Sequence, residues 1–322
     1  MEKGNNNIDM IKSNDYGEKW FPDKISFEED LKEVWGNKWS VFSEVGKLQA
    51  VLLRRPGKEI ENVHNPTKWR WKAPMDSKKA RAQHDKLAEI YRMHGVMVYY
   101  VENQREDRPN AIYMRDNVLG TPEGVILCRH SLRIRRGEER AVAATLGMIG
   151  VPIIHTINGK GIFEGACGMW IDRETIILGS GVRANREGIR QVEEVLTNMG
   201  IRSILHFQIP YGHAHIDGIM NIVDRKKALI FPWQTPYDIV EALKEQNFTI
   251  IEAPSIKEVK EGSAINLVAL EPGKVLAPAG NEKTKKVLQK NGVEVIEVDV
   301  SELMKGNGCL HCMTAILARE GI

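Results

Sequence analysis

Two cysteines stand three apart behind two glycines in GNGCLHCMT, residues 306–314, and only Cys128 and Cys167 share the chain with Cys309 and Cys312. Such a pair suits a redox couple, a metal site, or a loop that presents one thiolate to a substrate. Other reactive types recur elsewhere: Asp116 in YMRDN, Glu164 in FEGAC, and His213, His215 and Asp217 in GHAHIDG. Singly they are weak signals. An Asp in Arg-Asp-Asn is most often a turn or cap residue, Glu164 could simply end a strand, and His-x-Asp puts two side chains on one strand face because side chains alternate. Cys309, Cys312, His213 and His215 could make a Cys2His2 zinc set, but their spacing matches no common finger. No thioredoxin-like helix start follows the cysteines, which weakens the redox reading.

Together, the cysteine, the histidine and three carboxylates suit attack on a planar cation. Carboxylates hold a guanidinium by bidentate charge-assisted hydrogen bonds, a thiolate attacks its central carbon, and a histidine moves protons to the leaving amine and from water. Acids beside Cys312 raise its pKa in the empty site and a bound cation lowers it, so substrate would help make its own nucleophile. The carbon attacked is already electrophilic, so no cofactor or metal is expected.

The elements that must position these residues follow a repeat. Five segments close with a helix, a Gly or Asn, and a β-branched strand: IYRMHGVMVYYV, AATLGMIGVPIIHT, VLTNMGIRSILHF, ALKEQNFTIIEA and VLQKNGVEVIEV. Their pivots are Gly95, Gly150, Gly200, Asn247 and Gly292, roughly 50 residues apart, as a structural repeat requires. The units open near VGKLQAVLLRRPG, YMRDNVLG, FEGACGMWIDRETIILG, HIDGIMNIVDRKKALIF and INLVALEPGKVLAP. A unit of two or three strands and one helix buries its apolar face only against neighbours. The fold expected is therefore α/β, a five-fold pseudosymmetric α/β propeller of ββαβ-type units. A doubly wound nucleotide-binding sheet is disfavoured because no Gly-rich loop joins a strand to a helix. Asp116, Glu164, His215 and Asp217 sit at or just before a unit's first strand, and Cys312 in the final turn, so a closed ring would gather them near its axis.

Ahead of the repeat, residues 1–42 read as an extension, polar and loose over 1–16. A helix bearing Trp20, Trp35 and Trp39 is expected within 17–45, and residues 43–322 read as one catalytic domain. Residues 63–76 (VHNPTKWRWKAPMD) form a long irregular loop, with a packed connector favoured over a lid.

The chain of 322 residues, 42% hydrophobic and 27% charged, can bury a sizeable core. Its 45 basic and 43 acidic residues leave a net charge of +2, too balanced for a partner held by phosphate contacts, so nucleic acid is not expected. MEKGNNNIDM lacks the apolar core of a signal peptide, and no stretch approaches the roughly 20 apolar residues that span a bilayer, so a cytoplasmic location and no membrane partner are expected.

From about Ser43 onward, the sequence resembles the guanidino-group-modifying enzymes of the pentein fold, most closely the arginine deiminases, with amidinotransferases second. SEVGKLQAVLLRRPGKEIENV and HDKLAEIYRMHGVMVYYVE look like the opening unit, and RPNAIYMRDN, FEGAC, HIDGIMNIVD and GCLHCMT like four active-site motifs. The resemblance implies Cys312 as nucleophile, His215 as general acid/base, Asp116 and Asp217 gripping the guanidinium, and Glu164 bracing substrate and histidine. It further implies that Asn110, Arg183 and Arg135 bind the substrate's α-carboxylate end. The implied activity is hydrolysis of L-arginine, or a close guanidino compound, to a ureido product and ammonia through a covalent Cys312 amidino intermediate. The alternative is transfer of the amidino group to an acceptor amine, and methylarginine hydrolysis or double hydrolysis to ornithine are variants. A homo-oligomer is implied by analogy. The chain departs from the family at Glu164-Gly165-Ala166-Cys167, where Glu-Gly-Gly-Asp is usual, and at Cys309, where a glycine is usual.

Overall fold

Each pivot residue lies in the left-handed region: φ is 76° at Gly95, 76° at Gly150, 82° at Gly200, 63° at Asn247 and 74° at Gly292. One hydrogen bond then recurs in every unit. The N–H just beyond the pivot reaches back to a carbonyl in the last helical turn: Val96 to Tyr91 (3.0 Å), Val151 to Leu146 (2.9 Å), Ile201 to Leu196 (3.1 Å), Phe248 to Leu243 (2.9 Å) and Val293 to Leu288 (3.0 Å). This is the Schellman closure, made between apolar residues that pack on the core, and it turns each helix into the strand that follows.

The computed structural model describes residues 24–36 and 39–321. Among the described residues, fifteen strands form five three-stranded mixed sheets. They are β1 (Leu48–Leu53), β2 (Met97–Tyr100), β3 (Val118–Thr121), β4 (Gly124–Leu127), β5 (Ile153–Thr156), β6 (Gly168–Asp172), β7 (Thr175–Ser180), β8 (Ser203–Gln208), β9 (Met220–Asp224), β10 (Lys227–Ile230), β11 (Thr249–Glu252), β12 (Val268–Glu271), β13 (Lys274–Pro278), β14 (Glu294–Val298) and β15 (Ala315–Arg319). In four sheets a hairpin is followed by a helix and a parallel third strand, as in β6-β7-β8, because a parallel neighbour needs a crossover. The first sheet has the order β15-β1-β2, its antiparallel strand supplied from far along the chain, with Val51 opposite Ile316 and Leu52 opposite Ala315.

First and middle strands are buried almost throughout, whereas the third strands β2, β5, β11 and β14 carry exposed positions. Each fully buried Leu or Ile of the inner strands contributes roughly 1.5–3 kcal/mol by leaving water. The crossing helices cover the sheets with one stripe; in helix Ser77–Met93 that stripe is Ala80, His84, Leu87, Ala88 and Tyr91, and Asp76 caps its first turn.

The residues ahead of each first strand form short turns: Met114–Asn117, Gly165–Cys167, Ile216–Gly218 and, before β15, Leu310–Met313. The first touches the second and the fourth, and the second touches the third. Glycine permits this approach. A Cβ on Gly165 would lie 2.1 Å from the Val118 carbonyl oxygen, and one on Gly308 would lie 2.3 Å from the Tyr113 ring. The glycines before the cysteine pair thus let the loop pack on Tyr113 rather than loosen it.

Within the stretch 17–45, where the sequence predicts a helix, the described residues hold a short one. It spans Phe27–Glu33 with a Ser26/Glu29 capping box, and Gly36 (φ 75°) follows it. Trp35 lies beyond the helix. Trp39 is buried edge-on to Tyr99 at 5.7 Å, and Val41 donates to the Thr121 carbonyl at 2.8 Å, so residues 39–42 pack as part of the core. Trp20 lies outside the described residues. Among the described residues no helix is long and apolar enough to cross a membrane.

Candidate active site

The converging turns open on a cavity of about 710 Å³ whose wall includes Asp116, His215, Asp217 and Cys312. Glu164 stands behind His215. The structure thus brings together five side chains that the sequence scatters over four units.

Cys312 sits in the turn Leu310–Met313. Its Sγ accepts from Asn266 Nδ2 at 3.2 Å and as a thiol donates to Asp217 Oδ2 at 3.6 Å. Burial, then Asp217 and Asp116, push this thiol well above its ordinary pKa. Cys309 is a free, buried thiol whose pKa burial raises to about 12. Of the pair, Cys312 faces the carboxylates and Cys309 packs in the core.

His215 lies between two acids. Its Nε2 is 2.8 Å from Glu164 Oε2 and its Nδ1 is 3.6 Å from Asp116 Oδ1. Burial opposes protonation, but Asp116 and Glu164 outweigh it and raise the pKa. With an acid on each ring nitrogen the imidazolium is the favoured form.

Two charged networks hold these groups. In the first, Arg135 pairs with Asp116 and, at 2.8 Å, with Glu138; Glu138 stands 3.4 Å from His130, and His130 Nδ1 stands 3.5 Å from Glu164. The charges alternate around a closed circuit: Glu138, Arg135, Asp116, His215, Glu164, His130. Glu138 opens helix Glu138–Met148, where the helix dipole favours a carboxylate. Burial opposes the charge on Glu164, yet His130 and His215 hold its pKa well below the usual carboxylate range. His130 is likewise opposed by burial and Arg135, but Glu138 and Glu164 lift it to about 9. In the second network, Asp217 Oδ2 accepts from His311 Nδ1 (2.9 Å) and Asn266 Nδ2 (2.9 Å), His311 Nε2 faces Glu44 at 3.5 Å, and Glu44 pairs with Arg115 at 3.0 Å. Asn266 Oδ1 also receives the N–H of His311 at 2.9 Å, fixing the turn that bears Cys312.

Two of the expected substrate contacts, Arg135 and Asn110, line the cavity and are also engaged within the protein. Arg135 pairs with Asp116 and Glu138 and donates to the Tyr113 carbonyl (2.9 Å), so it braces the site. Asn110 accepts from the Trp71 indole at 2.6 Å and donates to the Trp69 carbonyl at 3.1 Å, so both ends of its amide hold the 63–76 loop. Neither engagement was legible, because each partner is brought in by tertiary packing. The loop itself is a packed connector, with Trp71 buried, yet Trp69 and Arg70 line the cavity. Arg183 also lines the cavity, with Nη1 3.2 Å from Glu164.

Asn266, His311, His130 and Glu138 are site residues that the sequence reading missed. Asn266 had a signal: it opens INLVALEPG, the place in the fifth unit that Asp116, Glu164 and Asp217 hold in others. Cys167, standing where the family has a second acid, is buried and neutral, burial raising its pKa well above the ordinary value. The Cys2His2 alternative is not assembled. His213 faces Gln234, and among the described residues the group of three metal-capable side chains is Asp116, Glu164 and His215. Arg135 and His130 already balance that cluster.

A family model described as N,N dimethylarginine dimethylhydrolase, eukaryotic, matches residues 58–319. An uncharacterised Bacillus subtilis protein, YkgA, is 27% identical over 279 residues, covering 86% of this chain and 94% of its own. Arginine deiminase of Borrelia recurrentis is 22% identical, covering 88% of this chain and 98% of its own. Two solved structures share the fold. Dimethylarginine dimethylaminohydrolase from Pseudomonas aeruginosa, a cysteine-to-serine mutant complexed with citrulline, has a TM-score of 0.69 at 22% identity, covering 84% of this chain and 99% of that one. Inosamine-phosphate amidinotransferase of Streptomyces griseus has a TM-score of 0.71 at 14% identity, covering 88% and 97%.

Proposed function

The chain belongs to the N,N dimethylarginine dimethylhydrolase family, within the guanidino-group-modifying enzymes, and from that premise we propose that it hydrolyses the guanidinium of L-arginine or a close guanidino compound to a ureido product and an amine. In this reading the five sheets are blades of one propeller over residues 43–322, and the cavity at their meeting turns is the active site. The observation that carries it is the facing of Cys312, His215, Asp116 and Asp217 on one cavity, with His215 held by Glu164 at 2.8 Å.

The steps follow from the charges. A guanidinium seated against Asp116 and Asp217 cancels the two carboxylates that hold the Cys312 thiol protonated, so its binding lowers the thiol pKa at the moment the electrophile arrives. The thiol proton passes to solvent and the thiolate adds to the guanidinium carbon. His215, protonated, gives its proton to the departing nitrogen, and collapse of the adduct breaks that C–N bond, leaving an amidino group on sulfur. His215, now neutral, takes a proton from water, the hydroxide adds to the same carbon, and the C–S bond breaks to release the ureido product. Glu164 keeps the imidazole in line for both transfers. The departing group is ammonia from arginine and a methylated amine from a methylarginine.

Incubating the protein with L-arginine and trapping it by acid quench tests this. Intact-mass measurement is expected to find an amidino adduct on Cys312, and Cys312→Ser to lose both adduct and turnover. Turnover retained in Cys312→Ser would overturn the mechanism. The transferase reading draws on the cavity volume of about 710 Å³, within the range that holds a drug-sized ligand, which leaves room for an acceptor amine beside a guanidino amino acid. Ornithine and an amidinated acceptor, formed when glycine is added, would favour it over citrulline and ammonia.

A further inference from the structure

We propose that Cys309 and Cys312 form a reversible disulfide under hydrogen peroxide, with Cys309 resolving an oxidised Cys312 and the active site switched off while the bond lasts. The hydrolytic steps above leave Cys309 without a part, yet it is a free thiol on the wall of the same cavity as Cys312. The turn between the two sets their spacing. Leu310 and His311 are helical, and the Met313 N–H donates to the Cys309 carbonyl at 3.0 Å, so a helical turn begins at Cys309, where the sequence shows no helix start. Two helical residues between a pair place its Cα atoms about 5 Å apart, by the rise and radius of the helix, on one side of the turn. Disulfides span roughly 4.4–6.8 Å between Cα atoms, so the spacing suits the bond. The turn is also held in place: Asn266 Oδ1 accepts from the His311 N–H at 2.9 Å and the Cys312 N–H at 3.3 Å, and Leu310 and Met313 are fully buried. Negative charge on Cys309 opposes charge on Cys312, as a near neighbour does.

Two steps make the bond. The Cys312 sulfur, its proton lost to solvent, attacks one peroxide oxygen; the O–O bond breaks, sulfenic acid forms on sulfur, and the departing hydroxide takes up a proton and leaves as water. The Cys309 sulfur then attacks the Cys312 sulfur, the S–O bond breaks, and the departing hydroxide takes the Cys309 proton as a second water. The pair of thiols gives up two electrons, and one peroxide is reduced to two waters. The carboxylates beside Cys312 slow the first step by keeping the thiol protonated. The second step is intramolecular, so the sulfenic acid is consumed where it forms, before another peroxide carries it to irreversible sulfinic acid. The disulfide removes the nucleophile from the cavity, and a dithiol returns it.

Treating the whole protein with hydrogen peroxide, then with iodoacetamide under denaturing conditions, and mapping its tryptic peptides makes the test, and it needs no substrate. Residues 306–319, between Lys305 and the cleavage after Arg319, form one peptide that carries both thiols. The wild-type peptide is expected to become two hydrogens lighter, to take up no iodoacetamide, and to regain both alkylation sites after dithiothreitol, while Cys128 and Cys167 stay alkylatable throughout. Cys309→Ala is expected to accumulate sulfinic acid on Cys312 that dithiothreitol does not reverse, and Cys312→Ser to keep Cys309 reduced. A wild-type peptide that stays alkylatable at both cysteines, or one oxidised at Cys312 with Cys309 still free, overturns the proposal. So does equal sulfinic acid in the wild type and Cys309→Ala. Turnover of L-arginine by the same wild-type samples is expected to vanish with the alkylation sites and return with dithiothreitol; turnover that persists in the disulfide form overturns the switch. A reduced wild type that turns over no guanidine would overturn the hydrolase reading, while the peptide masses still decide the disulfide.

Discussion

His130, fully buried and outside the cavity wall, faces Glu164 with its Nδ1 3.5 Å from Oε1. It helps hold the carboxylate that positions His215 without meeting substrate. Replacement by Gln keeps a polar group but removes the charge, and kcat is expected to fall about tenfold with KM nearly constant, as for other members of buried networks. Steady-state kinetics on a guanidino substrate reads this.

The same histidine predicts a pH dependence of stability. Its folded pKa of about 9 lies above the ordinary 6.5, so its stabilising contribution is complete below 6.5 and is lost as pH rises through about 9. Thermal melting between about pH 7 and about pH 10 is expected to fall more steeply for the wild type than for His130→Gln. Parallel curves would remove His130 as the source.

Glu164→Gln removes one of the two acids at His215 and leaves Asp116 alone to oppose burial at the imidazole. The His215 pKa, raised in the wild type, is expected to fall, so the proton donor is lost at lower pH. The alkaline limb of the kcat profile should move to lower pH, with kcat down at least about a hundredfold.

Asn266 connects Asp217 to Cys312 through one amide. Asn266→Asp places a third acid beside the thiol and is expected to raise its pKa further and slow its alkylation at neutral pH about tenfold. Asn266→Ala should disturb the thiol less but loosen its turn. Iodoacetamide labelling followed by mass spectrometry across pH distinguishes the two.

A thiol flanked by carboxylates should discriminate between reagents by charge. Cationic chloroacetamidine is expected to inactivate Cys312 at least about tenfold faster than neutral chloroacetamide at pH 7, because only the cation offsets Asp116 and Asp217. Equal rates would indicate that the two acids do not govern the thiol.

How far the sequence reached depends on the range of the signal. A left-handed pivot at Gly95 or Asn247 is decided within one helical turn, and the order of strands around it by local pattern, so the five units were legible. Asp116, Glu164, His215 and Asp217 were found because each sits at the same place in its unit. The partners were not. Arg135 was named through the resemblance as a substrate contact, but its own partners were not, because only tertiary packing places Glu138, Asp116 and the Tyr113 carbonyl around it. Trp39 went astray for a related reason: its burial against Tyr99 comes from distant chain, and no periodicity in 17–45 encodes it.

The pairing of β15 with β1 also sets a timetable. Residues 48–53 leave the ribosome early, but their antiparallel neighbour, residues 315–319, is made more than 250 residues later. At about 5–20 residues per second, β1 waits some tens of seconds with one edge unpaired. Cys312, three residues ahead of β15, is made in the same closing stretch, after Asp116, Glu164, His215 and Asp217. The five side chains that face one another at the cavity are therefore all present only when the strand that completes the first sheet is ready to dock.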